Sequence, residues 1–449
     1  MGCSAFSCIR LRRKPRVIQD KRPTLSYKTS RKVAIPVAEL RLGMYVAELD
    51  RPWEETPFLF QGFTIETEHD IAVIREYCEQ VTVDIESSVD FQIRPTARTS
   101  KRTGTSHTTA VSKRSENIER ALSRAQRTHA DSSRLIRSIM DDVRLGKSVD
   151  TPAARAAVTE CVDSVIANPD AMTLLSRIRE KDEYTSQHSL SVSILTVALG
   201  RQLGMQREEL IDLGICGLLH DVGKVLTPDE VLTKPGRLTV EEMEIMKEHT
   251  THGRNILMSS SGAPLKALDV AYAHHERFNG SGYPRGLVEA QITHYSRLVA
   301  ITDTFDAITT DRVYNNARTN MDAFRVLSKG RKTHWDPTLV IRFVEAIGIY
   351  PAGTAVELSN EMIGIVIETH PTQKLRPKVL LTHTPNGPLK PPMVLDMSTR
   401  LTDERGSKLE IRRVLPPAVA GINLHSLRDA GLLDNLASLP EFGRAIPSH

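Results

Sequence analysis

The chain has 449 residues, 40% hydrophobic and 25% charged, with a formal net charge of +4, an ordinary soluble globular composition long enough for two or three domains. Five scattered cysteines (Cys3, Cys8, Cys78, Cys161, Cys216) without a CxxC pair argue against a disulfide framework or a cysteine zinc site and fit a reducing, cytoplasmic location. No apolar run approaches the roughly 18–20 residues that span a bilayer. Charge is uneven: residues 1–32 hold ten Lys/Arg against Asp20, a net of +9, which leaves −5 for the remainder. This head reads as a solvated extension, with an anionic membrane surface or nucleic acid as alternative contacts. Arg10, Arg12, Arg13 and Lys14 interrupt any secretory apolar segment, and Phe6 stands where a myristoylation signal wants Ser or Thr.

Residues 33–93 read as a small α+β domain. Its strands are expected at Val33–Val37, Gly43–Leu49 and Val81–Ile85, its helix at Thr67–Tyr77, and its aromatic core from Trp53, Phe58, Phe60 and Phe63. Residues 94–116, nearly all Ser, Thr, Arg and Lys around Arg98–His107, form a linker. From 117 to 350 the apolar spacing is helical almost throughout. Leu190, Ile194, Val197 and Ala198 stripe one helix, and Thr239-Val-Glu-Glu242 is a capping box that opens another. Val270 to Glu276 ends a helix and Asn279–Pro284 is a loop. Leu298, Ile301, Phe305 and Ile308 stripe a helix whose other side shows Asp303 and Asp306. After Pro351 the pattern alternates at Val356–Leu358, Ile363–Ile367 and Val379–Leu381, so 351–415 reads as a small β-rich appendage, and 416–449 as a tail with one helix over Leu424–Leu436.

The chemistry gathers on Leu218-Leu219-His220-Asp221-Val222-Gly223-Lys224. Ile211, Ile215, Leu218 and Val222 bury one side of the approach, which leaves the His-Asp step at the rim of a core. Lys224, four residues after His220, is placed to meet a phosphate oxygen. Taken alone, His188 or His249 would read as a hydrogen-bonded core histidine, and Asp303 with Asp306 as a solvated face. Taken together, His188, His220, Asp221, His249, His274, His275 and Asp303 suit two divalent ions of the iron, manganese or zinc class, with Asp221 able to bridge them. Gly280, Gly282 and Pro284 shape a loop that would hold Tyr283 rigidly beside the cleft, to stack on a base, dock a partner or simply pack.

Several motifs carry a family resemblance: Tyr184-Thr-Ser-Gln-His188-Ser189, His220-Asp221-Val-Gly-Lys224, Lys247-Glu-His249, His274-His275-Glu276, Asn279-Gly-Ser-Gly282-Tyr283-Pro284, Ala300-Ile-Thr-Asp303-Thr-Phe-Asp306-Ala, Arg312-Val-Tyr314 and Asp336-Pro337. With these, residues 175–350 resemble the HD-GYP domain, a bacterial subgroup of the HD metal-dependent phosphohydrolases. Residues 33–93 resemble the small domain of unknown function that often precedes it, through Gly43-Met-Tyr-Val46 and Trp53…Phe58…Gly62-Phe63. The resemblance implies a mainly α, multidomain chain whose HD-type bundle hydrolyses cyclic di-GMP to pGpG or GMP. It also implies His188, His220, Asp221 and Asp303 as ligands of one ion and Asp221, His249, His274 and His275 of the other, with Lys224 and Arg312 on the phosphates. Iron or manganese is the expected pair, with zinc, nickel or magnesium as alternatives.

Two departures matter within that resemblance. Tyr184 replaces the glutamate of trimetallic members, so two metals are expected. Asn315 replaces a basic residue, which weakens the phosphate grip unless Arg318 substitutes. The competing readings are a binding module with little turnover and an HD phosphohydrolase acting on ppGpp or dNTPs. The intact ligand set opposes the first, and the Gly-Tyr-Pro loop with its doubled histidine opposes the second. No nucleic-acid polymer is expected as partner, while signalling proteins and a second copy of the chain remain open.

Overall fold

The computed structural model describes residues 32–51, 56, 63–65, 68–84, 117–178, 184–310, 318–399, 402–403, 406–416, 422 and 424–442. The chain divides into two compact units, one from Met1–Asp50 with Gly62–Ile93, the other from Arg51–Gln61 with Arg94–His449. None of the described helices is long and apolar enough to cross a membrane.

In the first unit, β1 (Lys32–Pro36), β2 (Tyr45–Leu49), β3 (Phe63–Thr64) and β4 (Gln80–Asp84) form an antiparallel sheet ordered β1-β4-β2-β3, and α1 (Glu68–Tyr77) precedes β4. The alternation at Val81 and Val83 buries both side chains, together with Val46 and Leu49 of β2 and Ile71 and Ile74 of α1. Asp50 Oδ2 accepts from the backbone amides of Glu79 and Gln80 at 2.7 and 3.0 Å, which pins the start of β4. Trp53, Phe58, Phe60 and the Phe63 side chain, expected as an aromatic core, lie outside the described residues.

The second unit opens with α2 (Ile118–Arg144), α3 (Thr151–Ala167), α4 (Pro169–Leu175), α5 (Tyr184–Gln202) and α6 (Arg207–Leu219). Asn117, Asp150 and Asn168 cap α2, α3 and α4 with side-chain oxygens, and prolines fill the first turns of α3 and α4. A short α7 (Asp229–Leu232), α8 (Val240–Lys247), α9 (His249–Ser259) and α10 (Leu265–Ala273) follow, and then α11 (His294–Thr309), α12 (Asn320–Lys329) and α13 (Pro337–Ile347). The Thr239 capping box forms as expected, with Glu242 accepting from the Thr239 amide and Thr239 from the Glu242 amide.

The residues after 350 form the small β-rich C-terminal element that was expected, and it packs into the helical body. Strands β5 (Ala355–Leu358), β6 (Ile363–Glu368), β7 (Lys378–Thr384), β8 (Gly387–Asp396) and β9 (Ile411–Leu415) form an antiparallel sheet ordered β8-β7-β6-β5-β9. Its central strands are buried on both faces. Ile365, Ile367 and Leu380 join the core of α2–α6 and α10, while Val366, Val379 and Leu381 join the core of α5, α11, α12 and α13. That is why Ile363–Ile367 reads as an almost continuous apolar run rather than a clean alternation. In the second core Phe305 stacks on Phe324 at 5.3 Å between centroids and meets Phe343 edge-on at 5.1 Å. The tail helix is shorter than expected: α14 covers Leu424–Asp429, and positive φ at Gly431 turns the chain so that Leu433 and Leu436 reach the first core.

The helical body and the sheet are also tied by a polar contact. Asp170 on α4 accepts from the Thr369 amide at 2.9 Å and from its hydroxyl at 2.9 and 3.2 Å. Asp170→Ala strands that amide and should cost about 1–3 kcal/mol. Urea unfolding of the full chain should show a lower midpoint at an unchanged slope.

Candidate functional site

Five helices or helix ends deliver the site. The axis of α6 runs into the core with Leu210, Ile211, Leu213 and Ile215 all buried, so its end arrives in a dry environment. His220 is the C-cap of α6, and Asp221 leads into a 3-10 turn over Val222–Leu226. His188 lies one turn into α5, His249 opens α9, His274 caps the end of α10 with His275 next, and Asp303 projects from α11. A backbone approach fixes part of this: a Cβ on Gly223 would fall 2.0 Å from His249 O and 2.3 Å from Gly253 N. Only glycine lets the 3-10 turn and α9 bring Asp221 to His249.

The ligand atoms fall into two groups, Asp221 with His249, His274 and His275, and His188 with His220 and Asp303, each group within 4.8 Å across. Asp221 links them. Its Oδ2 lies 3.4 Å from His188 Nε2 and 3.3 Å from His220 Nε2, and its Oδ1 lies 3.3 Å from His249 Nε2 and 3.5 Å from His274 Nε2. Asp303 Oδ1 closes the first group at 3.1 Å from His188 Nε2 and 3.8 Å from His220 Nε2. All seven residues named from the sequence as metal ligands are therefore brought together.

The imidazoles are oriented from behind. His188 Nδ1 donates to Asp306 Oδ2 at 2.7 Å, His220 Nδ1 to Gly217 O at 2.7 Å, His249 Nδ1 to Met246 O at 2.6 Å, and His274 Nδ1 to Val270 O at 3.0 Å. With each Nδ1 committed as donor, each Nε2 turns its lone pair inward, as a metal ligand requires. Asp306 is in turn held by Ser191 Oγ at 2.7 Å. Asp306 is buried and belongs to the site, so the solvated-face reading of Asp303 and Asp306 does not hold.

Electrostatics support a cation here. Burial opposes a charged His220, but Asp221 and Asp303 outweigh it and push its pKa up to about 10. Burial likewise opposes a charged His188, and Asp221, Asp303 and Asp306 together raise it. On the other side, burial drives His249 down to about 3, with Lys224 and His274 adding to the shift, and holds His275 well below its usual range. Burial also opposes ionisation of Asp221 and Asp303, yet the facing imidazoles, and Lys224 for Asp221, keep both carboxyls well below their ordinary value. His220 Nε2 and Asp221 Oδ1 are fully buried and have no partner in hydrogen-bond geometry. Inward-facing nitrogen and carboxylate donors with orphaned ligand atoms fit divalent cations.

Around the centre, Lys224 Nζ donates to Asp221 Oδ2, so it sits against the shared carboxylate rather than free on the face of His220. Tyr283 lies 4.8 Å from the His275 ring at 31° and has Lys247 Nζ 5.6 Å from its own centroid. The loop glycines differ in their reason. Gly280 has φ +76, whereas Gly282 permits a close approach, since a Cβ there would fall 2.4 Å from Arg277 N and 2.5 Å from Glu276 Cα. Glu276, buried, ties the loop down by accepting from the amides of Arg285 and Leu287, each at 2.8 Å. Pro284 follows Tyr283 in that loop and is exposed. Arg318 is exposed, its amide donating to Ile308 O. Arg312, Asn315 and the Tyr184 side chain lie outside the described residues. The positioning roles of Asp306 and Glu276 were missed in the sequence. The three-residue spacing of Asp306 from Asp303, which puts both on one helical face, was the available signal for the former.

Asp306→Asn should weaken metal binding about 10–100-fold, because the carboxylate behind His188 sets its tautomer and basicity. Competition titration against a chelator measures this, and unchanged affinity would remove Asp306 from the site. Since His188 and His220 favour the protonated form in the protein alone, a metal must displace their protons. Affinity should therefore fall as pH is lowered, and metal addition should acidify a weakly buffered solution.

The HD domain family matches residues 173–339, and the family described as domain of unknown function DUF3391 matches residues 32–154. A cyclic di-GMP phosphodiesterase of Pseudomonas aeruginosa is 34% identical over 347 residues, which are 77% of this chain and 84% of the relative. A cyclic di-GMP phosphodiesterase of Thermotoga maritima is 38% identical over 189 residues, 42% of this chain and 50% of that protein. A 3'3'-cGAMP-specific phosphodiesterase of Vibrio cholerae is 38% identical over 157 residues, 35% of this chain and 36% of that protein. With seven candidate ligand residues brought together, and with likeness extending across both domains, the chain belongs to the HD-GYP family of cyclic di-GMP phosphodiesterases and carries a DUF3391 domain ahead of its HD domain.

Proposed function

We propose that this chain hydrolyses cyclic di-GMP to linear pGpG and onward to GMP, using two divalent ions, iron or manganese. The observation that carries the reading is the Asp221 carboxylate, whose two oxygens face two different histidine groups. Asp221 with His188, His220 and Asp303 would hold one ion, and Asp221 with His249, His274 and His275 the other. Ions so placed supply Lewis-acid charge for a phosphodiester and make water acidic enough to attack near neutral pH.

The chain's own residues do the positioning. The backbone and carboxylate acceptors behind the four imidazoles keep the donor atoms aimed without reorganisation. Lys224, partly buried beside Asp221, would lie against a phosphate bound at this centre and neutralise one of its oxygens. Arg312 would hold a second oxygen. Tyr283, fixed by the Glu276-bound loop, offers a ring face on which a guanine could stack. In the reaction the water oxygen bonds to phosphorus, the bond from phosphorus to the ribose 3' oxygen breaks, and that oxygen leaves as an alcohol after taking a proton. The intact ligand set favours this over a scaffold without turnover.

The direct test is incubation of anaerobically prepared, metal-analysed protein with cyclic di-GMP and separation of the products by chromatography. Product formation with about two metals per chain is the expected result. Absence of turnover by the metal-loaded protein would overturn the reading, and a reproducible content near three would overturn the inference from Tyr184. Preference for 3'3'-cGAMP in competition would instead align the chain with the Vibrio cholerae relative.

Asp221→Ala should abolish turnover and metal retention together while the protein stays folded, because one carboxylate serves both groups. Near-parental rates in that variant would show the centre has been misassigned. Lys224→Ala should leave metal content intact and raise KM about tenfold or more, the loss of one charge-assisted hydrogen bond of ~1.5–3 kcal/mol. Loss of metal in Lys224→Ala would refute its phosphate role.

A further inference from the structure

On the outer side of α9 and α10 lies a cleft of about 330 Å³ lined by Arg254, Leu265, Leu268, Asp269, Tyr272 and Arg285. That is at the small end of the ~300–1,000 Å³ range of ligand pockets. It shares no residue with the metal centre. Tyr272 precedes His274 by two residues, about 200° around a helix, and Arg254 follows His249 by five, about 140°. The side chains that line the cleft therefore point away from those that line the centre.

Two guanidinium groups share one aromatic ring, Arg254 with Cζ 5.1 Å and Arg285 with Cζ 4.7 Å from the Tyr272 centroid. Each contact is favourable, but together they gather two like charges at one place. A single carboxylate stands near, Asp269, with Oδ1 3.5 Å from Arg285. Its other oxygen already accepts from Thr293 Oγ1 at 2.7 Å and Ser296 Oγ at 3.0 Å. Arg254 has no carboxylate partner among the described residues. The cleft thus keeps a net positive charge beside an apolar wall, where Leu265 is 82% exposed.

We propose that this cleft is a second site, for a nucleoside monophosphate. Paired guanidinium forks match phosphate oxygens in a way that lysines do not. The exposed Leu265 and the half-buried Leu268 offer the apolar surface on which the base would lie. The site is joined to the catalytic centre through the chain: α9 carries Arg254 and His249, α10 carries Tyr272 and leads to His274, and Arg285 follows Tyr283 by two residues. A ligand that clamps Arg254 to Arg285 would stiffen α9 against the loop that holds Tyr283.

The test is equilibrium dialysis of GMP against the full-length, metal-loaded protein; GMP is an end product of the proposed reaction and is not consumed, so the binding is read apart from turnover. The parent should bind one GMP per chain at this cleft beyond any held at the catalytic centre. Arg254→Ala and Arg285→Ala should each weaken that binding about tenfold or more, the loss of one charge-assisted contact. Arg254→Lys, which keeps the charge but not the planar fork, should fall between and guards against a folding defect in the alanine variant. Equal binding by the parent and the doubly substituted Arg254→Ala, Arg285→Ala protein would overturn the site. A parent that binds a single GMP per chain, retained in full by the doubly substituted protein, would place GMP in the catalytic centre alone and also overturn it. Inorganic phosphate displacing GMP at matching concentration would remove the nucleoside from the assignment, and displacement only at much higher concentration would support it. Cyclic di-GMP turnover, measured separately with metal, decides the catalytic reading independently of these outcomes.

Discussion

A carboxylate at 1% exposure is expensive to bury, and Asp221 is tolerated only because so much positive and potentially positive charge is arranged around it. Four imidazole Nε2 atoms lie within 3.5 Å of its two oxygens, and the Lys224 ammonium sits on one of them. Those groups arrive on four segments: α5, the end of α6 with the turn beyond it, the start of α9 and the end of α10. The requirement to meet one carboxylate thus constrains how four pieces of the helical body pack. Gly223 is the clearest mark of the constraint, because the turn carrying Asp221 touches the α9 backbone where no side chain would fit.

The rest of the unit makes that convergence stiff. Backbone carbonyls at the ends of the preceding turns orient His220, His249 and His274, so His220 and His274 are aimed by their own helices and His249 by the end of α8. His188 differs, since its orienting group is Asp306 on α11, and its direction depends on how α5 and α11 pack. That packing rests on the phenylalanine cluster of Phe305, Phe324 and Phe343 and, behind it, on the sheet after residue 350. Burial of β6 and β7 on both faces makes the sheet a wall shared by two cores. A substitution in that wall can reach the centre through the packing of α11 without touching a ligand.

Much of the architecture was legible along the chain because helices and strands announce themselves through period and caps. The Thr239 capping box, the stripes before and after the His-Asp step and the change of texture past Pro351 each match an observed element. The tail helix was overextended because propensity favours helix through Leu436, while Gly431 turns the chain to bury Leu433 and Leu436. The small C-terminal sheet was legible from that change of texture, whereas alternation along one strand does not say that both of its faces are covered.

The same division holds for the site. Residue types and adjacency alone determined that His188, His220, Asp221, His249, His274, His275 and Asp303 are candidate ligands, because few other arrangements satisfy a His-Asp step and a doubled histidine at helix ends. Their kinship with known motifs was likewise carried by short stretches that sequence displays directly. Only the tertiary structure decided that one oxygen of Asp221 faces each histidine group, that Lys224 is drawn onto that carboxylate, and that Asp306 and Glu276 hold the ligand and the loop. Those facts depend on contacts that run from three residues apart (Lys224 with Asp221) to 118 apart (His188 with Asp306), and on the aim of single oxygen atoms, none of which periodicity displays. Periodicity places a residue on a face, and only packing determines what that face meets.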